Sequence, residues 1–489
     1  MKSKTNLKKV RIYFLLAAII IGSGIAVRLY KIDSPLADHQ NWRQCDTASM
    51  ARNFYLNGTS ILSPQIDWGG DSSGLVESEF PLFQYSVSLL YRIAGEYDIL
   101  GRLFSVFLFS LSAVVFYLIV RILYGEDCAC ASLFFFTFSP LSIYYSRTFM
   151  PEMLLIFFIV LSLYMLLLWK EGGRKYYIHL SALFFALALL VKVLVLYLMV
   201  VFAFIIYRNS SNLKKFGKDI SVFSSIALLP PIFWYVYAYF IYQKTGLTFG
   251  ILSGGFLKFT SGYDWRSVLF YEKIFKRLFT LMITPVGLIT FCAGLLIEEK
   301  DSKRNWIYIW LTLLPAVAIL VAKGFYSHDY YLLPFLVPFS IIAGKGMMPV
   351  LQSSGTSVIA KAAVVLIFAS AILFSGYYTL EGKMYMENGF YKVDKRLLKT
   401  SEQIAGATSQ NDLIIVAGTE AVTPVPSLFY LSGRRGWYVD IEDVTSGNIG
   451  VLQKKGAVLV ASIEAEKIRR DKNYKEIEAT PYGAIIKLK

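Results

Sequence analysis

The feature that most limits the fold of this chain is its succession of apolar stretches, many of them close to the length of a membrane crossing. About 20 predominantly apolar residues cover the hydrocarbon core as a helix. Eleven such spans are predicted, at residues 12–30, 98–122, 128–145, 150–169, 177–191, 193–208, 220–242, 276–297, 305–322, 330–347 and 358–378. Residues that are 56% hydrophobic and only 17% charged, with a mean hydropathy of +0.52, do not describe an ordinary soluble domain. The reading is a polytopic α-helical membrane protein.

Charge sets the orientation. The first eleven residues, MKSKTNLKKVR, carry five basic side chains and no acid. The apolar run after them lacks a small-residue cleavage site and reads as a retained first helix rather than a signal peptide. With this end in the cytoplasm, Arg121, KEGGRK (170–175), RNSSNLKKFGK (208–218) and EKDSKR (299–304) also fall there. That obeys the positive-inside rule in a multi-pass protein of the plasma (inner) membrane. Segment 244–277 departs from it, placing six Lys or Arg outside. The formal charge of +15 is scattered among loops, which suits anionic lipid better than nucleic acid. Four cysteines imply no disulfide framework.

Two parts lie outside the spans. The first outer loop, 31–97, carries a predicted helix over 42–57, stopped at Asn57-Gly58 and laid along the membrane surface. A second helix begins near Pro81, and the Gly-rich DWGGDSSG (67–74) is a flexible connection between them. The polar stretch 385–489 alternates strand-like runs (412–419, 436–441, 457–462 and 484–489) with helical ones (395–406 and 463–470). That pattern predicts a small extracytoplasmic α/β domain following a membrane domain of 1–384.

Ionisable residues at membrane spans are costly and mark function, and here they gather on the outer side. The first loop offers Asp38, His39, Arg43, Asp46, Glu77 and Glu79. Arg102 sits one turn into the second span, where it can pair with Glu79. Arg147, Glu152, Lys192, Asp264, Arg266, Lys323, His328 and Asp329 come from later outer turns. Several have plainer readings. Arg43 and Asp46 form an i,i+3 surface ion pair worth about 0.2–0.5 kcal/mol. Lys192 snorkels to the interface, Glu152 caps a helix, His328 is a neutral hydrogen-bonded ring, and Tyr330 and Tyr331 belong to an interfacial belt.

The motifs ARNFYLNG (51–58), ESEFPLFQY (77–85), GRLFSVF (101–107), SRTFMPE (146–152) and HDYYLLPF (328–335) resemble, in order and on one side, the GT-C superfamily of polyprenyl-phosphate-sugar-dependent glycosyltransferases. The pattern looks particularly like the protein O-mannosyltransferase and lipid A aminoarabinose transferase branch (glycosyltransferase family 39-like), and YLSGRRGW (430–437) is similar to the periplasmic domain of some bacterial members. The resemblance implies a GT-C membrane fold and an inverting transfer, with the acceptor activated by an acid in the first outer loop. Relatives place that acid about nine residues before the Arg of AR. Here that position is Arg43, and the neighbouring acids are Asp46 and Asp38.

Chemistry leaves both open as the base. A carboxylate must accept the acceptor's proton, and Arg or Lys must meet the leaving phosphate. Arg147, Lys192, Lys323 and His328 are the candidate phosphate ligands. His39, Arg43, Glu79, Asp329, Tyr330 and Tyr331 are further substrate contacts, the tyrosines by stacking on sugar, and Glu152 orients the base. The sequence contains no firm metal site, but leaves room for a divalent cation held by Asp46 or Asp38 with Glu152. The expected partners are a polyprenyl-phosphate-sugar donor, a lipid, glycan or protein acceptor, and membrane lipid. A secondary transporter or lipid-linked-sugar carrier is the alternative. It would favour midplane charges and internal repeats, neither of which is visible. Segment 244–270 reads as a gate or a disordered loop.

Overall fold

In hydrocarbon no water can pair a backbone N–H or C=O, so an apolar stretch satisfies them within itself as a helix. The computed structural model describes residues 2–250, 265–355, 357–382, 384–386, 389–419, 426–445, 449–464 and 477–488, with side chains from residue 11 onward. Each of the eleven predicted segments is occupied by helix, but they do not form eleven continuous spans. Among the described residues, six helices are long and apolar enough to cross a membrane, or seven counting a bent pair. The others are shorter or broken, and the breaks have causes in the sequence. The stretch 128–145 divides into Glu126–Phe138 and Pro140–Tyr145, because Pro140 cannot donate to the ladder. The expected span 276–297 bends by 94° where Thr284 adopts φ +62 before Pro285.

The helices needed to place the site are α1 (Lys2–Arg28), α2 (Asn41–Asn57), α3 (Leu82–Ala94), α4 (Asp98–Tyr124), α5 (Glu126–Phe138), α6 (Pro140–Tyr145), α7 (Glu152–Gly172), α8 (Tyr176–Val191), α9 (Met199–Asn209) and α10 (Leu213–Thr245). Helix α7 and the Asp329–Leu351 span are largely buried within the bundle, whereas α1 and Val358–Glu381 present mostly exposed apolar surface, as lipid-facing helices do. Ser162 of α7 and Ser181 of α8 each donate to the other's carbonyl at 2.7 and 2.8 Å, which locks these two helices side by side. At the end of α8 the freed carbonyls of Leu189 and Leu190 accept from the Tyr235 hydroxyl of α10 at 3.0 and 3.2 Å. Leu190 also accepts from the Phe80 amide. The helix therefore stops at Lys192 without leaving polar groups bare.

The C-terminal part is an α/β unit. Its sheet runs in the order β2-β1-β3-β5-β4 (β1 Leu413–Gly418, β2 Arg435–Asp440, β3 Ala457–Ser462, β4 Ile477–Ala479, β5 Ala484–Lys487). β1 pairs in parallel with β2 and β3, and β5 pairs antiparallel with β3 and β4. Helices Lys395–Ala407 and Pro426–Ser432 cover one face through Leu397, Ile404, Leu428 and Phe429. Ile441, Val444 and Ile449 cover the other. The expected helix over 463–470 lies, beyond Glu464, outside the described residues.

This unit sits directly on the first loop, which corrects two expectations. Helix α2 does not lie open on a membrane surface: ten of its seventeen residues are buried. Arg52 stacks 4.6 Å over Tyr430, and Asn41 accepts from Ser427. Nor is 67–74 a free connection. The Gly70 amide donates to the Gly436 carbonyl at 2.7 Å, and that of Gly436 to the Asp67 carbonyl at 3.0 Å. Gly70 has φ +67, and a Cβ there would lie 2.2 Å from the Trp437 ring.

Candidate functional site

The first loop is fixed to the bundle by Asp38. Its carboxylate accepts from the Gln44 amide at 2.6 Å and from Arg102 and Arg147, both at 3.3 Å. All three ionised groups are buried. Arg102 also donates to the Ser34 carbonyl at 2.6 Å, and Arg147 to that of Lys31. Arg102 thus pairs with Asp38 rather than Glu79. Every oxygen of Asp38 is engaged by a donor, and Arg147 is spent on this triad. Nearby, His39 Nε2 lies 3.0 Å from Asp329, which also accepts from the Tyr145 hydroxyl. Asp38 and His39 border a cavity of about 610 Å³ against the C-terminal unit, not the cavity described next.

One turn into α2 the chemistry changes. Asp46 is 4% exposed, and its Oδ1 accepts from Trp68 Nε1 at 3.0 Å. Burial pushes its carboxyl up to about 7. The Trp68 hydrogen bond and the Arg43 charge pull it down, and the Asp67 charge adds to the rise. Arg43 does not form the expected pair with Asp46; its guanidinium meets Glu79. Burial lowers the Arg43 pKa, but Glu79 opposite more than offsets this, so it stays charged.

Arg43, Asp46, Glu79, Gln84 and Phe249 line one pocket. Arg43, Glu79 and Phe249 continue into a second with Trp42, Lys192, His328, Tyr330 and Tyr331. Lys192 does not snorkel. It is buried, with Nζ 2.8 Å from both oxygens of Glu152, the first residue of α7. The Tyr330 and Tyr331 rings lie 4.7 and 5.3 Å from the same ammonium. His328 stacks on Tyr330 at 5.1 Å and lies 5.7 Å from Trp42. The structure therefore brings together Asp46, Arg43, Glu79, Lys192, Glu152, His328, Tyr330 and Tyr331. It leaves Asp38, His39, Arg147 and Asp329 behind this cavity in supporting contacts. Lys323 is exposed on Ala322–Ser327 and does not line it. Asp264 lies outside the described residues.

Trp68 and Phe249 escape a reading of motifs. Trp68 sits in what reads as a Gly-rich link, and only the fold turns it onto Asp46. Phe249 belongs to the suggested gate. Its amide donates to the Glu77 carbonyl at 3.1 Å, which pins residues 247–249 beside the site; residues 251–264 lie outside the described residues. Among the described residues, no three His, Cys, Asp or Glu side chains group closely enough to hold a metal ion. Glu152 and Asp38 instead face cationic side chains.

Residues 78–235 match the family model of dolichyl-phosphate-mannose-protein mannosyltransferases. No curated protein matches the chain in sequence. Solved structures do match its fold. ArnT from Cupriavidus metallidurans, bound to undecaprenyl phosphate, aligns with a TM-score of 0.62 at 12% identity, over 96% of this chain and 97% of that one. The archaeal oligosaccharyltransferase AglB from Archaeoglobus fulgidus, in complex with an inhibitory peptide and a dolichol-phosphate, aligns at 0.60 and 11% identity, over 94% and 70%. The mycobacterial arabinofuranosyltransferase AftD aligns at 0.53 and 14% identity, over 91% of this chain and 36% of that one.

Proposed function

We propose that this chain, which has the GT-C fold, is a membrane glycosyltransferase that moves a sugar from a polyprenyl-phosphate-linked donor to a lipid, glycan or protein acceptor. The observation that carries the proposal is the pairing of chemistry within the two linked pockets. A buried carboxylate with a pKa near neutrality, Asp46, lines one pocket with the half-buried Arg43, and Arg43 with the buried Lys192 lines the adjoining one. Transfer from a phosphate ester needs both halves, a base for the acceptor hydroxyl and cations for the leaving phosphate.

In the reaction, Asp46 removes the proton of the acceptor hydroxyl. The acceptor oxygen bonds to the anomeric carbon as that carbon's bond to the phosphate oxygen breaks, inverting the centre. The electron pair leaves on the phosphate, where Arg43 offers a planar fork and Lys192 a point charge. Glu79 and Glu152 hold these cations in place before the donor arrives. Tyr330, Tyr331 and Trp42 supply flat apolar faces for a pyranose or furanose ring. Asp38 positions the first loop and does not act as the base. The site-bearing face is extracytoplasmic and the N-terminus cytoplasmic, in a plasma (inner) membrane, as the basic loops direct.

The test supplies purified protein with a radiolabelled polyprenyl-phosphate sugar and candidate acceptors. Release of free polyprenyl phosphate should fall about 10²–10⁴-fold in Asp46→Asn. Undiminished release in that variant would remove Asp46 from the mechanism. Donor binding with no turnover by the wild type would turn the reading toward a carrier.

A further inference from the structure

A second polar cavity lies at the opposite end of the same helices. It measures about 270 Å³ and is walled by the last turn of α7 and the first turns of α8 and α10. Trp169, Lys175, His179, Lys215, Lys218 and Asp219 line it. Trp169 follows Glu152 by 17 residues, or about 25 Å at 1.5 Å per residue. That is close to the thickness of the hydrocarbon core. The cavity and the Glu152–Lys192 pair therefore sit at the two faces of one bilayer.

Three features decide what it holds. Three lysines and a histidine face one carboxylate, and among the described residues none of the three lysines is in an ion pair. Oδ2 of Asp219 is buried without a hydrogen-bond partner. A carboxylate oxygen shut away from water lacks a donor, and a headgroup hydroxyl would supply one. Deeper along α8 and α10 the surface is apolar and open: Leu183 is 45% exposed, Leu229 50% and Phe233 71%, so acyl chains can run along it.

We propose that this cavity binds the headgroup of an anionic, hydroxylated glycerophospholipid. Its phosphate lies among Lys175, Lys215 and Lys218, and its hydroxyl donates to Asp219. Basic pockets between membrane helices on the cytoplasmic side take anionic headgroups by this chemistry. Through α7 and α8, locked at Ser162 and Ser181, the lipid steadies the two helices that carry Glu152 and Lys192.

The full-length protein is examined by native mass spectrometry after release from mixed vesicles of phosphatidylglycerol, phosphatidylethanolamine and phosphatidylcholine. The wild type should retain one phosphatidylglycerol more than the triple variant Lys175→Gln, Lys215→Gln, Lys218→Gln, whose affinity for that lipid should fall at least about tenfold. The lysines are exposed, so the variant should fold; an unchanged melting temperature checks this. The wild-type preference stands as a separate measurement if the variant fails to fold. Equal retention of all three lipids by the wild type would overturn the proposal. So would preferential retention of phosphatidylethanolamine, whose ammonium would then be the group at Asp219. Displacement of phosphatidylglycerol by low-millimolar inorganic phosphate would overturn the lipid as the source of the anion.

Discussion

At the scale of single residues, two aspartates eight positions apart meet opposite surroundings. Asp38 is held by two arginines and an amide, whereas Asp46 is desolvated with one indole donor and Arg43 nearby. The difference gives Asp46 a pH signature. A base must be deprotonated, so with its carboxyl at about 7 the transfer rate should rise with pH through that value and level off above it. The Trp68 N–H favours the ionised form. Trp68→Phe should therefore raise the pKa and move the rising limb of the rate profile to higher pH, a shift readable from kcat/KM between pH 5.5 and 9. Asp38→Asn should behave otherwise. It leaves Arg102 and Arg147 buried without a counter-charge, a loss of about 3–5 kcal/mol. Its mark is a lowered melting temperature, with no displaced pH profile in the protein that remains folded. Both aspartates are visible in ADHQNWRQCDTASMARNF, but their roles are not. Local spacing predicts Arg43 beside Asp46, and the competing partner, Glu79, comes from 36 residues along the chain.

At the scale of elements, the sequence marks most helices and hides how they break. The apolar runs locate α4 and α7 within a few residues but start α10 seven residues late, and Asn57-Gly58 stops α2 as expected, with Gly58 in the left-handed region at φ +61. Lys192 reads as a short turn between two spans. Its depth comes from Tyr235, on another helix, which satisfies the carbonyls that α8 leaves open at its end. Hydropathy carries no trace of that hydroxyl. Tyr235→Phe should leave the Leu189 carbonyl without a donor, costing about 1–3 kcal/mol. The end of α8 would loosen, and Lys192 with it. The expected result is a lower melting temperature together with a raised KM for the donor. Unchanged values of both would show that this hydroxyl does not hold the break.

At the scale of the whole molecule, the C-terminal unit is joined to the first outer loop rather than hung from the membrane helices. The alternating strands of 385–489 make the α/β unit legible, apart from the short β4, but nothing in the sequence says where it docks. The answer is a seam of backbone pairs, Gly70 to Gly436 and Gly436 to Asp67, beside the Trp68 that holds the proposed base. The seam needs a residue without Cβ at Gly70, because φ is +67 there and a side chain would strike Trp437 at 2.2 Å. Gly70→Val should part the C-terminal unit from the first loop. Limited proteolysis would then cut the freed 67–74 segment, which the docked wild type protects. Transfer should fall along with the protection, since Trp68 would leave Asp46. If the segment became cleavable while turnover stayed at the wild-type level, the C-terminal unit would be a cover over the site, and Asp46 would owe its environment to the membrane helices alone.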